Sequence, residues 1–116
     1  RTMNGHQRAQ AERFGVEVVS MADWARGARP VVSGSVYLSV DLDGVDPAFA
    51  PGVSHREPGG LTTREVIGIV QGIEGRLVGA DLVEYNPLQD TGDLTARLAA
   101  KLLKEIAGRM IETGAR

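Results

Sequence analysis

The sequence predicts an α/β domain built on a mostly parallel sheet. Three observations carry that expectation. The segment Val36-Tyr37-Leu38-Ser39-Val40-Asp41-Leu42-Asp43 alternates apolar and polar residues with the period of a strand. A second strand-like segment, Leu77 to Glu84, follows after a stretch of helical periodicity, so strand, helix and strand make a βαβ unit with parallel strands and a right-handed crossover. Glycine supplies 15 of the 116 residues. That is about twice its ordinary share of ~7%, and the glycines fall between the periodic segments, where such a fold needs tight turns.

In chain order, Met3 to Phe14 reads as a polar helix stopped by Gly15, and Val16 to Val19 as a short strand. Ser20 and Asp23 have the spacing of a capping box opening a brief helical turn through Trp24, which Gly27 and Pro30 close. The strand Val36 to Asp43 follows. Residues 47 to 60 hold three prolines and several glycines and are expected to form a long ordered loop, a kind of segment that is commonly functional. Thr62 with Glu65 is a second capping box; it begins a helix carrying Val66, Ile67, Ile69, Val70 and Ile73 until Gly75. After the strand Leu77 to Glu84, a final helix spans about Asp93 to Ile111. Its apolar stripe is Leu94, Leu98, Leu102, Ile106 and Met110, with Arg97, Lys101, Lys104 and Glu105 toward water.

Composition excludes several classes. With 13 Lys+Arg against 15 Asp+Glu, the formal charge of −2 gives no basis for binding nucleic acid or an anionic membrane. There is no cysteine, hence no disulfide framework and no thiolate metal site, which fits a reducing compartment. No apolar run approaches the roughly 18 residues of a membrane span.

Chemistry is expected where β-strand alternation would aim Asp41 and Asp43 the same way. Two parallel carboxylates repel unless a positive charge lies between them, and a divalent cation supplies one. Gly44 permits a sharp turn after the pair, and Pro47 holds Asp46 extended. Because parallel strands share one carboxyl edge, Asp41, Asp43 and Glu84 are expected together there, outside the strand ends where α/β folds bind ligands. Asp46 reads as a turn residue, and Asp81 as structural or supporting. His55 reads as packing or lining in the loop, His6 as solvated, and Trp24 as a packing anchor.

Two families share the local pattern. Asp41-Leu42-Asp43-Gly44-Val45 is close to the nucleophile motif of haloacid-dehalogenase-like phosphatases, but Asp46 and Pro47 depart from it and the only lysines, Lys101 and Lys104, lie on the last helix. The second resemblance covers much more. Ser39 to Pro47, then Phe49, Pro51, the Gly59-Gly60-Leu61 entry to a helix, and Gly79 to Pro87 resemble the carboxyl-terminal part of the ureohydrolases, the arginase and agmatinase family. The loop Pro51 to Gly60 is most similar to plant-type arginases and their bacterial relatives.

That resemblance implies a three-layer α/β/α arginase-like fold, of which residues 1–116 would be the carboxyl-terminal portion of a single domain. It implies a binuclear Mn²⁺ centre ligated by Asp41 and Asp43, Glu84 facing the guanidinium of the substrate, and hydrolysis of arginine or agmatine releasing urea. Hard carboxylate oxygens suit Mn²⁺, and a carboxylate is the natural bidentate partner of a guanidinium. The family's other ligands, a histidine and an Asp-x-His-x-Asp cluster, have no counterpart in this sequence, so the chain is expected to be part of a longer polypeptide and inactive alone. The alternative is a non-catalytic remnant or interaction module. A small-molecule substrate, no nucleic acid or membrane partner, a trimer or hexamer at full length, and a cytoplasmic or, for a plant-like source, organellar location complete the expectations. An isolated segment of this kind would be marginally stable or aggregate, and a cooperative melt from a monodisperse monomer would count against that.

Overall fold

The computed structural model describes residues 2–114. The chain divides into two compact units, residues 1–30 and 31–116.

In the first unit, α1 spans Gly5–Arg13. Asn4 caps it by accepting from the Gln7 amide at 2.9 Å, while the Gln7 side chain accepts from the Asn4 amide at 2.9 Å, a reciprocal pair that satisfies two amides the helix itself cannot. Gly15, at φ +64°, turns the chain away. The expected strand at Val16 to Val19 does not form: those residues have no ladder partner among the described residues, and β-propensity without a neighbouring strand leaves the backbone merely extended. Ser20 then caps α2, Met21–Ala25, through the Asp23 amide. Arg29 lies over the Trp24 ring at 3.7 Å and donates to the Trp24 carbonyl at 2.8 Å, so the indole anchors the end of this unit.

The second unit is a βαβα segment. Strand β1 is Ser35–Asp41 and β2 is Arg76–Val83; they pair in parallel from Ser35↔Arg76 to Asp41↔Val83. Between them α3 spans Thr63–Gln71, capped by Thr62 and Glu65 as the sequence predicts. It ends at Gly72, three residues short of the expected stop at Gly75, and Ile73 continues into the core from the connecting turn. Helix α4, Leu94–Gly114, packs on β2 and on α3.

One irregularity determines which face of β2 is buried. The register runs Val36↔Leu77 and then Tyr37↔Gly79, so Val78 is an extra residue, a bulge. Without it Leu77 would share a face with Asp81. With it Leu77, Ala80 and Leu82 all join Val36, Leu38 and Val40 in the core, while Asp81 falls on the opposite face and accepts from the hydroxyls of Tyr37 at 3.0 Å and Ser39 at 2.5 Å. Tyr37 also packs on Gly79, where a Cβ would stand 2.9 Å from the ring.

The core joins the inner face of the sheet to Leu42, Val45, Ala50 and Val53 of the loop region, Val66, Ile67 and Val70 of α3, and Leu98, Leu102 and Ile106 of α4. Two tertiary hydrogen bonds seal its far end: the Leu77 amide donates to Thr113 Oγ1 at 3.1 Å, and Arg109 Nε donates to the Ile73 carbonyl at 2.9 Å.

Candidate functional site

The carboxyl ends of β1 and β2 lie side by side. At the end of β1, Asp41 Oδ1 accepts the amide of Asp43 at 3.1 Å, and that local bond draws the backbone out of the ladder into a 3-10 turn, Leu42–Gly44. The strand therefore ends two residues before the alternation predicts. The relation of Asp41 to Asp43 is set by this turn, while Leu42 between them is fully buried and pins it to the core.

At the end of β2, Glu84 lies one residue beyond the strand with φ +66°. A residue with a Cβ holds that left-handed conformation at a cost of about 1–3 kcal/mol, sustained by the surrounding structure. The turn that follows is organised by Asn86, whose side chain accepts the Leu88 amide at 3.1 Å and opens a 3-10 turn, Pro87–Gln89.

The loop between β1 and α3 is folded back onto both ends. At its stem, Asp46 accepts the amides of Ala48 at 2.9 Å, Gly59 at 2.8 Å and Gly60 at 3.2 Å, while Val45 and Leu61 form an isolated parallel bridge. Asp46 is thus the turn residue the sequence suggests, and it closes the whole loop. Farther along, the Asn86 amide donates to the Gly52 carbonyl at 2.8 Å and Asn86 Nδ2 to Ser54 Oγ at 3.0 Å. Arg56 donates from Nε to the Pro51 carbonyl at 2.8 Å and from Nη2 to the carbonyl of Gln89.

Beneath the loop, Asp90 accepts the amides of Thr95 and Ala96 at 3.0 Å each and caps α4. Burial raises the pKa of that carboxyl, but the Thr95 and Ala96 amides, the Thr95 hydroxyl and the Thr91 amide outweigh it and hold the value at about 2. Tyr85, whose hydroxyl reaches Asp90 at 3.4 Å, has its pKa raised by burial and then by the nearby Asp90 charge.

These constraints bring three side chains together. One ligand atom each from Asp43, His55 and Glu84 lies within 4.8 Å of the others. His55 Nδ1 is 3.9 Å from Asp43 Oδ2; the Asp43 side chain is 26% exposed and the imidazole 85%. Of the expected site residues, Asp43 and Glu84 meet here, whereas Asp41, turned to the Asp43 amide, is outside the group. His55 is the member that residue-type reasoning ranked lower. The available signal was topological, since a proline- and glycine-rich loop that must return to enter α3 beside β1 carries its middle past the strand ends. Two carboxylates and an imidazole at this separation can enclose a cation, metallic or guanidinium.

The arginase family model matches residues 1–108. The chain belongs to the arginase family. It is 45% identical over 119 aligned residues to arginase 1, mitochondrial, of Arabidopsis thaliana, covering 95% of this chain and 34% of that protein. A guanidinobutyrase of Pseudomonas aeruginosa is 42% identical, covering 83% of this chain and 33% of that protein. Among solved structures, the arginase of Medicago truncatula superimposes with a TM-score of 0.87 at 42% identity, over 95% of this chain and 37% of that one. The chain thus spans about a third of the length of the curated relatives it matches. The expected arginase-like α/β fold, with its parallel sheet, is the fold found. Membership also separates the chain from the phosphatases that share its Asp-x-Asp-Gly motif.

Proposed function

We propose that this arginase-family chain is the carboxyl-terminal portion of a ureohydrolase domain, contributing part of an active site that hydrolyses a guanidino compound, arginine or agmatine, with release of urea. The observation that carries the reading is the meeting of Asp43 and Glu84 at the carboxyl edge of a parallel sheet in a member of this family.

In this reading Asp41 and Asp43 are ligands of Mn²⁺, and their donor set fits it: both offer hard carboxylate oxygens, Asp41 from the last residue of β1 and Asp43 from the turn that follows, one of the Asp41 oxygens being engaged by the Asp43 amide. Two carboxylates are too few to complete a binuclear centre, so its remaining ligands come from residues outside this sequence. When bound, the metal pair supplies Lewis acidity and activation of water near neutral pH. Glu84 grips the guanidinium in a bidentate pair and sets its plane against the Asp43 side. The loop roofs the edge, and its ties through Asp46, Arg56 and Asn86 fix the distance between the metal side and the substrate side. A homo-oligomeric enzyme, in the cytoplasm or an organelle, belongs to the same proposal.

The test is urea release by the full-length polypeptide with Mn²⁺ on arginine, agmatine and 4-guanidinobutyrate. Activity on one of them, lost about a thousandfold in Asp43→Ala and sharply reduced in Glu84→Gln, is expected. No urea from any guanidino substrate would overturn the assignment.

A further inference from the structure

The outer face of the two-stranded sheet carries a polar cluster ahead of the candidate site. One carboxylate on β2 gathers two donors from β1: Asp81 accepts from the hydroxyls of Tyr37 at 3.0 Å and Ser39 at 2.5 Å. The Tyr37 ring lies on Gly79, the residue it opposes across the ladder. The hydrogen bond to Asp81, and then its charge, raises the Tyr37 pKa and keeps the phenol a donor at neutral pH.

The cluster sits between the bulge at Val78 and the carboxyl edge. In the observed register Ser39 opposes Asp81 and Asp41 opposes Val83, so Glu84 leaves the ladder immediately beyond the partner of Asp41. Without the extra residue Asp41 would oppose Leu82. Glu84 would then shift along β1 by one residue, about 3.3 Å, and every β2 side chain past Leu77 would turn to the other face. Asp81 opposes that slip twice. On the outer face its carboxylate holds two charge-assisted hydrogen bonds. In the slipped register it would oppose Val40, a buried residue, and carry a charge into the core without a partner.

We propose that Asp81 is a positioning residue of the candidate site: through Tyr37 and Ser39 it locks β2 in the bulged register that brings Glu84 to Asp43. It acts through Glu84, three residues farther along the chain. Its consequence for turnover rests on the guanidino reading above; the lock itself does not.

The experiment uses the full-length polypeptide and two measurements. Amide hydrogen exchange reads the lock: Asp81→Ala is expected to speed exchange about tenfold or more from Ala80 to Glu84 while α3 and α4 keep wild-type rates. Tyr37→Phe combined with Ser39→Ala removes both donors at exposed positions, leaves the ring on Gly79, and should give the same local acceleration. Ser39→Thr retains a hydroxyl and should match wild type. Urea release reads the consequence: Asp81→Ala should lower kcat/KM for the guanidino substrate by on the order of a hundredfold, and in a Glu84→Gln background the same replacement should add about twofold or less. Exchange from Ala80 to Glu84 that equals wild type in both variants, or that accelerates uniformly through the chain, would overturn the proposal whether or not urea is released. So would a full further loss of activity in the Glu84→Gln background. A wild type that releases no urea removes the guanidino reading and leaves the exchange rates to decide the lock.

Discussion

The amide of Gly52 donates a 2.7 Å hydrogen bond to Oγ1 of Thr95, joining the loop at the sheet edge to the first turn of α4 in a buried contact. Nothing else can occupy that space: a Cβ on Gly52 would stand 2.8 Å from Asp90 and 2.9 Å from the Thr95 Cβ. Thr95→Val keeps the shape and strands a buried donor, so it should cost about 1–3 kcal/mol in urea denaturation, whereas Thr95→Ser should cost less. Gly52→Ala should destabilise by a similar amount through overpacking. A Thr95→Val midpoint equal to wild type would show that the bond does not hold the loop.

Asp46 is a second, independent tie. Its carboxylate gathers the amides of Ala48, Gly59 and Gly60, and Asp46→Ala leaves all three without that acceptor. A loss of about 2 kcal/mol is expected. Amide hydrogen exchange should accelerate at Gly59 and Gly60 more than in α4, and uniform acceleration throughout the chain would argue against a local closure.

Acid sensitivity should trace to Asp90. Its folded pKa of about 2 is below the ordinary 3.8, so the ionised carboxylate favours the folded state. The stabilisation is complete above pH ~4 and is lost as pH falls from there toward 2. Asp90→Asn should lower stability at neutral pH and flatten the fall between pH 4 and 2. An unchanged acid slope in that variant would assign the sensitivity to other groups.

Glu84 should show opposition between stability and chemistry. Its φ of +66° suits glycine, so Glu84→Gly is expected to raise stability by about 1 kcal/mol. The same change should abolish the guanidino activity proposed for the full-length enzyme. A destabilised Glu84→Gly would mean that its carboxylate contributes more to folding than its backbone costs.

Much of the fold could be read from local patterns. The alternation from Val36 onward gave the right faces of β1, and both capping signals, Ser20 and Thr62, mark real helix starts. What failed was decided by competition or by partners. Asp41 ended its own strand by bonding the Asp43 amide, and the alternation carries no sign of that. The bulge at Val78 sets Asp81 on the face opposite Leu77, beside Tyr37 and Ser39, and no local pattern signals that extra residue. On α4, residues four apart advance by about 40° beyond a full turn, and the stripe drawn from Leu94 drifts; Leu94 is 50% exposed and Thr95 takes its place inside. At the site, Asp43 and Glu84 were legible from strand order. His55 was not, because its position depends on how a loop folds back.

The ties on that loop have a thermodynamic consequence. Ordering a residue costs roughly 1–2 kcal/mol of backbone entropy, and in residues 47 to 60 that cost falls on folding, offset by Asp46 at the stem, Gly52 at the helix and Arg56 and Asn86 near the middle. Whatever settles at the sheet edge meets a roof already in place, so its affinity reflects the contacts it makes, with little deducted for arranging them.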